Sequence, residues 1–74
     1  MTAKEMFEKL GFNKYIDSDF YLSYKRATDG YDISINKING EIIITSDIGY
    51  DRYFISNQLH VAITQQMKEL GWIE

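Results

Sequence analysis

Residues 31–46, YDISINKINGEIIITS, decide the fold, because they contain the clearest hairpin signal of the chain. Asn39 and Gly40 both tolerate the positive φ that a two-residue type I′ turn requires. Such a turn pairs Ile38 with Glu41, Lys37 with Ile42, Ile35 with Ile44 and Ile33 with Ser46. It places Ile33, Ile35, Ile42 and Ile44 on one face and Ser34, Asn36, Ile43 and Thr45 on the other. A slip of one residue would set isoleucines against polar residues, so an even register is expected.

Two amphipathic helices are predicted at the two ends of the chain. The first, residues 2–10, begins with a capping box of Thr2 and Glu5, and the second begins with Ser56 as its N-cap. Each is followed by a glycine and an aromatic residue, in LGF and LGW, which is typical of a helix C-terminus. The apolar stripes are Ala3, Met6, Phe7 and Leu10 in the first helix and Leu59, Ala62, Ile63, Met67 and Leu70 in the second. Gln66 is the one polar residue that interrupts the second stripe.

Between the first helix and the hairpin, residues 20–26 alternate as a strand. Phe20, Leu22 and Tyr24 lie on one face, and Tyr21, Ser23 and Lys25 lie on the other. Residues 12–19 are interpreted as a connection that could include a short edge pairing. After the hairpin, residues 47–55 are apolar but unpatterned. At least two of their side chains should pack inward, and whether they add a fourth strand is left open.

These elements predict an α+β domain with the order α-β-β-β-α. Its three strands follow one another with short connections, so they should form an antiparallel meander with both helices packed on one face. A chain of 74 residues allows a single domain, residues 1–74. The other face of the sheet is left open to solvent or to a partner, and it carries Tyr21, Ser23, Lys25, Ser34, Asn36, Ile43 and Thr45.

Composition narrows the classes of function. The chain has no cysteine, which excludes disulfides and thiolate chemistry, and its net charge of −3 comes from interspersed charges. A nucleic-acid binder usually has a basic stripe, and none is visible. No signal peptide or apolar run long enough to span a membrane is found, so a cytoplasmic location is expected.

The sequence contains no recognisable catalytic or cofactor motif. His60 is the only histidine, and no companion at metal-binding or acid–base spacing surrounds it. Asp47 and Asp51 lack the spacing of a calcium loop. The glycines occur singly, so no phosphate-binding loop is predicted. In the predicted register Asp32 lies opposite Asp47, which requires splayed strands or an intervening Arg26 or Arg52. We therefore expect no enzyme, no cofactor and no metal site.

Two surfaces have the composition of a binding site. The segment Tyr50-Asp51-Arg52-Tyr53 is rich in the residue types favoured at interfaces, although packing of its own rings over the edge of the core is the favoured interpretation. On the open sheet face, Tyr21 has the same status, and Ile43 is an isoleucine without an explanation. The candidate partner-binding residues are Tyr21, Lys25, Ile43, Tyr50, Arg52 and Tyr53.

The two ends of the chain, MTAKEMFEKLGF and FISNQLHVAITQQMKELGW, resemble small uncharacterised proteins of phages and prophages of Gram-positive bacteria. The likeness extends over roughly the full length and rests on capping and core residues. It implies a cytoplasmic protein of an infected or lysogenic cell, where small acidic proteins often bind host or phage proteins. It supplies no catalytic residues.

The order α-β-β-β-α also resembles the double-stranded RNA-binding domain, in topology only. That family contacts RNA through lysines at the start of its second helix, and the matching residues 56–61, SNQLHV, contain none. Its function is therefore not transferred.

The sequence thus predicts a non-catalytic binding module that engages a host or phage protein through the open face or through residues 50–53. Self-association, through the last strand or through the open face, is left open. One alternative is nucleic-acid binding, with Tyr21 as a stacking ring and Lys25 as a phosphate contact. Another is small-molecule sequestration at a dimer interface.

Overall fold

A computed structural model describes residues 1–46 and 55–74 of the chain. The order of its elements is α1 (Ala3–Lys9), β1 (Phe12–Asp17), β2 (Tyr21–Arg26), β3 (Tyr31–Asn36), β4 (Ile42–Ser46) and α2 (Asn57–Glu69). The strands form one antiparallel sheet in the order β1-β2-β3-β4. Both helices contribute to the core on the same side of this meander, so the predicted α+β class is confirmed. The expectations for residues 47–54 lie outside the described residues.

The prediction of three strands is wrong, because the described sheet has four. The additional strand is β1, which lies in the stretch interpreted as a connection and pairs with β2 from Phe12 opposite Arg26 to Asp17 opposite Leu22. A β-bulge between Lys14 and Ile16 interrupts its ladder. Because a bulge adds one residue to one strand, it breaks the two-residue alternation by which a strand is recognised in sequence.

The β3–β4 hairpin differs from the predicted one in its turn. Ile35 lies opposite Ile42 and Ile33 lies opposite Ile44, a shift of two residues that leaves residues 37–40 as the loop. Gly40 has a φ of +76°, and no described residue other than glycine has a positive φ, so the two-residue type I′ turn is wrong.

The side chain of Asn36 explains the longer loop. Its Oδ1 accepts hydrogen bonds from the backbone N–H groups of Ile38 (2.9 Å) and Asn39 (3.3 Å). The N–H of Gly40 donates to the carbonyl of Asn36 at 2.9 Å. These local bonds favour the four-residue loop over the tighter turn. A shift of two residues keeps every side chain on its predicted face.

The predicted pairing of the Asp32 and Asp47 carboxylates is also wrong, because the register is shifted by two residues. Asp32 lies opposite Thr45, not opposite Asp47. Arg26 lies elsewhere, with its guanidinium on the carboxylate of Asp29 at 2.6 Å. Asp29 in turn accepts a hydrogen bond from the backbone N–H of Tyr31, so the pair fixes the β2–β3 turn.

The helix ends form as the sequence predicts. Thr2 and Glu5 make both bonds of the capping box, and the Oγ of Ser56 accepts from the N–H of Leu59 at 3.1 Å. The ring of Phe12 packs edge-on against Phe7, with 5.9 Å between their centroids. The two N-caps therefore fix the residue at which each helix begins.

The core lies between the helices and the inner side of the sheet. Its centre is Tyr24, whose ring stacks on Phe7 with 3.9 Å between centroids and whose hydroxyl donates to Oε1 of Gln66 at 2.7 Å. The buried apolar residues are Ala3, Phe7, Phe12, Leu22, Tyr24, Tyr31, Ile33, Ile35, Leu59, Ala62 and Ile63. No buried polar side-chain atom in the described part of the chain lacks a hydrogen-bond partner.

Candidate binding face on the open side of the sheet

The sheet side opposite the helices is called the open face. Alternation along the strands and the pairing between them place the following side chains on it: Asn13, Tyr15, Ile16, Tyr21, Ser23, Lys25, Asp32, Ser34, Asn36, Ile43 and Thr45. The bulge in β1 turns both Tyr15 and Ile16 toward this face. Four large apolar side chains are exposed there, by 52% for Tyr15, 39% for Ile16, 48% for Tyr21 and 51% for Ile43.

In the middle of the open face, two small polar side chains lie between larger apolar ones. One row crosses all four strands, with Ile16 opposite Ser23, Ser23 opposite Ser34 and Ser34 opposite Ile43. The two serine hydroxyls lie 3.1 Å apart and hydrogen-bond to each other. Since neighbouring strands are about 4.8 Å apart, the isoleucines stand roughly 14 Å from each other across the serines. The row thus has a polar floor of paired serines, of which Ser23 is itself buried at 2% exposure, between two isoleucines.

Tyr15 reaches across β2 and is held at its tip. Its hydroxyl donates a hydrogen bond to the carboxylate of Asp32 on β3, and Asp32 also accepts from the Oγ of Ser34 at 3.0 Å. The bond to Asp32, together with burial, raises the pKa of the Tyr15 hydroxyl. Because these polar groups bind one another, Tyr15 presents mainly the apolar surface of its ring to a partner.

The charge of the open face is balanced. Lys25 is the one lysine or arginine whose strand position lies on this face within residues 1–46 and 55–74, and it stands directly opposite Asp32. Lys37 is engaged elsewhere, with its Nζ 3.0 Å from Asp17. A phosphate-binding surface needs several uncompensated cations, and this arrangement does not provide them.

The structure places three of the six candidate residues on the open face. Tyr21, Lys25 and Ile43 all lie there, but Tyr21 and Ile43 are on β2 and β4 with β3 between them. Two strand spacings separate them, about 10 Å, so they share a surface without touching. Tyr50, Arg52 and Tyr53 lie outside the described residues.

Tyr15 and Ile16 are the members of this face that the sequence analysis missed. The sequence predicts only a connection with a possible short edge pairing at these residues, because the bulge hides the alternation of β1. The available signal was the adjacent pair of large apolar residues directly before the Asp17-Ser18-Asp19 turn, since two neighbouring residues on one face are what a bulge produces.

A second apolar surface lies between the two helices. A cleft of about 380 Å³ is lined mainly by Met1, Met6, Leu10 and Val61. Val61, on α2, is 53% exposed. Lys9, Asn57 and Gln58 complete its lining. The cleft carries fewer exposed aromatic and β-branched side chains than the open face, so it is the weaker candidate for a protein partner.

Metal and membrane sites find no support in the described residues. Within them, no group of three or more histidine, cysteine, aspartate or glutamate side chains could hold a metal ion. His60 is exposed near the start of α2. Neither helix of the described part is long and apolar enough to cross a membrane.

In comparisons with known proteins, no family model, no curated protein and no solved structure matches the chain.

Proposed function

We propose that the chain is a small non-catalytic binding module that engages another protein through its open face. The observation that carries the proposal is the set of four exposed apolar side chains, Tyr15, Ile16, Tyr21 and Ile43, around the serine floor. A phage or prophage origin, a cytoplasmic location and a host or phage protein as partner belong to the same proposal. They rest on the resemblance of the two ends of the chain to small phage and prophage proteins of Gram-positive bacteria.

Tyrosine suits such a surface for physical reasons. It offers a large, rigid, amphipathic contact area, and tyrosine is enriched among the residues that dominate binding energy. Tyr15 is already held by its bond to Asp32, so less side-chain freedom is lost when a partner covers its ring. The polar floor is also satisfied before binding, which removes a desolvation cost at the centre of the face.

The proposal is tested by capture from lysates of Gram-positive host cells on the immobilised chain. The double substitution Ile16→Thr and Tyr21→Thr removes apolar surface at exposed strand positions and keeps β propensity. Val61→Thr, at an equally exposed apolar position on α2, is the matched control. A protein retained by the wild type and by the control, but reduced at least about tenfold by the double variant, supports the open face as the site.

Three other outcomes would overturn it. If capture survives the double variant but is lost after Tyr50→Ser and Tyr53→Ser, the binding site is the segment 50–53. If the captured material is nucleic acid, lost after nuclease treatment and at high salt, the alternative of stacking on Tyr21 beside Lys25 is correct. If no macromolecule is retained by any form of the chain, the binding module itself is rejected.

A further inference from the structure

The two outer edges of the sheet differ in how they are protected. The outer strand β1 carries the bulge at Lys14 and Ile16, and Lys14 and Asp17 form an ion pair of 3.3 Å on it. Bulges and charged side chains are the devices by which proteins prevent another strand from adding to an edge. The outer strand β4, IIITS, has no charge, no proline and no bulge in its pairing with β3. Of the two outer strands among the described residues, only β4 is built like an edge that accepts a further strand.

The backbone of β4 also points the right way. The N–H of Asn36 donates to the carbonyl of Glu41 at 2.8 Å, so these two residues form a hydrogen-bonded pair. Hydrogen-bonded pairs alternate along an antiparallel ladder, and Ser34 therefore bonds to Ile43. The N–H and C=O groups of Ile42 and Ile44 are directed away from β3, and no partner for them lies among the described residues.

We propose that β4 pairs with β4 of a second copy of this chain, antiparallel, about a two-fold axis at Ile43. In this register Ile42 exchanges two hydrogen bonds with Ile44 of the partner subunit, and symmetry provides two more. On the open side, Ile43 lies opposite Ile43 of the partner subunit. Glu41 lies opposite the uncharged Thr45 of the partner subunit. An axis one residue further on would pair Ile42 with a serine, and a mixed register would join a core face to an open face.

A second copy fits this edge better than an unrelated strand for three reasons. Every isoleucine of β4 meets an isoleucine, and such β-branched pairs are favourable across strands. The uncharged edge brings no like charges together, although each copy has a net charge of −3. The helices of both copies fall on the same side, so the half-buried Ile42 and Ile44 gain cover. The described strands of the two copies then form one continuous eight-stranded sheet, whose two open faces join at the exposed Ile43.

This inference concerns a different partner from the proposed open-face binding, and the two surfaces share Ile43 and Thr45 of β4. A strand pair of this length buries less than the roughly 1,200 Å² of a standard interface, so the association should be weak and reversible.

Sedimentation equilibrium of the wild type, Ile43→Lys, Ile43→Glu and an equimolar mixture of the two variants tests the dimer. The wild type should dimerise between about 10 µM and 1 mM, and each variant should weaken association at least about tenfold, because like charges would meet at the axis. The mixture should recover association by at least about tenfold over either variant alone. Val61→Lys, on α2, is the control and should dimerise as the wild type does.

Amide hydrogen exchange gives a second measurement that does not depend on substitution. The amides of Ile42 and Ile44 should become protected as concentration rises, whereas Ile43 and Thr45 should be protected already in the monomer. A wild-type chain that stays monomeric at about 1 mM, or a mixture no tighter than its components, would overturn the dimer. The double variant Ile16→Thr and Tyr21→Thr should leave the dimer intact, so its loss of protein capture is separable from loss of self-association.

Discussion

At the scale of single residues, Tyr24 carries a polar group into the middle of the core. Its side chain is fully buried, and its hydroxyl is satisfied by Gln66, which is itself 6% exposed. A buried polar group is tolerated only with a partner, since an unsatisfied one costs about 1–3 kcal/mol. The polar interruption in the stripe of α2 is therefore explained: Gln66 faces the core because Tyr24 donates to it.

Tyr24→Phe should lower the free energy of unfolding by about 1–3 kcal/mol, because it leaves the carbonyl of Gln66 buried without a donor. Adding Gln66→Leu should recover part of that loss, since removing both partners of a buried bond is much less costly than removing one. Denaturant unfolding of the two single variants and the double variant checks this. Equal and additive losses in the double variant would show that the bond does not couple the two residues.

The pH dependence of the free energy of unfolding, compared between wild type and Tyr24→Phe, gives an independent measurement of the burial of this hydroxyl. Burial raises the pKa of Tyr24 to about 12, from an ordinary value of 10.0. Between those pH values the unfolded chain loses the phenolic proton while the folded chain keeps it, so stability falls as pH rises, by up to about 1.4 kcal/mol per pH unit. The stability difference between wild type and Tyr24→Phe should therefore be constant below pH 10 and shrink above it. The other tyrosines are common to both proteins and cancel in the difference.

At the scale of elements, the side chain of Asn36 determines which of two possible turns joins β3 to β4. Asn39-Gly40 could form a two-residue turn, but Asn36 supplies an acceptor for two loop amides and stabilises the four-residue loop. Asn36→Ala should reduce stability by about 0.5–2 kcal/mol, as loss of a helix-capping side chain does. Asn36→Asp keeps the acceptor oxygen and is the matched control, which should lose much less. Denaturant unfolding measures both.

A further result of Asn36→Ala would be structural. Without its side chain the loop loses its advantage over the tighter turn, and cross-strand contacts between Ile35 and Ile44 should gain population over those between Ile35 and Ile42. Nuclear Overhauser contacts between α protons of facing strands report the register. An unchanged register and unchanged stability would show that Asn36 does not select the loop.

The same elements show what the sequence can and cannot predict. Helix caps were predictable because the capping box of Thr2 and the N-cap of Ser56 are local, and the faces of the hairpin were predictable because the period of a strand is two. The register was not, because two turns with the same parity compete and the winner depends on the bonds of Asn36. β1 was hidden by its bulge, and with it the half of the candidate face that Tyr15 and Ile16 supply.

At the scale of the whole molecule, the two ends of the chain are joined by one charged contact. The backbone N–H of Ala3, at the start of α1, donates to Oε2 of Glu69 in the last turn of α2 at 2.7 Å. Ala3 is fully buried, so water cannot replace the acceptor easily. A helix as short as α1 is unstable alone and depends on such tertiary contacts. The bond therefore connects α1, the shorter helix, to α2, which covers the core.

Glu69→Ala should lower the free energy of unfolding by about 1–3 kcal/mol, because it leaves the amide of Ala3 buried without its charged acceptor. The loss of stability should be uneven. Amide exchange should speed up much more in α1 than in β2 and β3, because α1 has little stability of its own. Glu69→Gln keeps an acceptor oxygen and should fall between wild type and Glu69→Ala. Glu8→Ala, an exposed glutamate on α1, is the control and should change stability by less than about 0.5 kcal/mol. Uniform exchange across helices and sheet in Glu69→Ala would instead mean that α1 unfolds only together with the sheet, and that the chain has a single cooperative unit in which this contact has no local role.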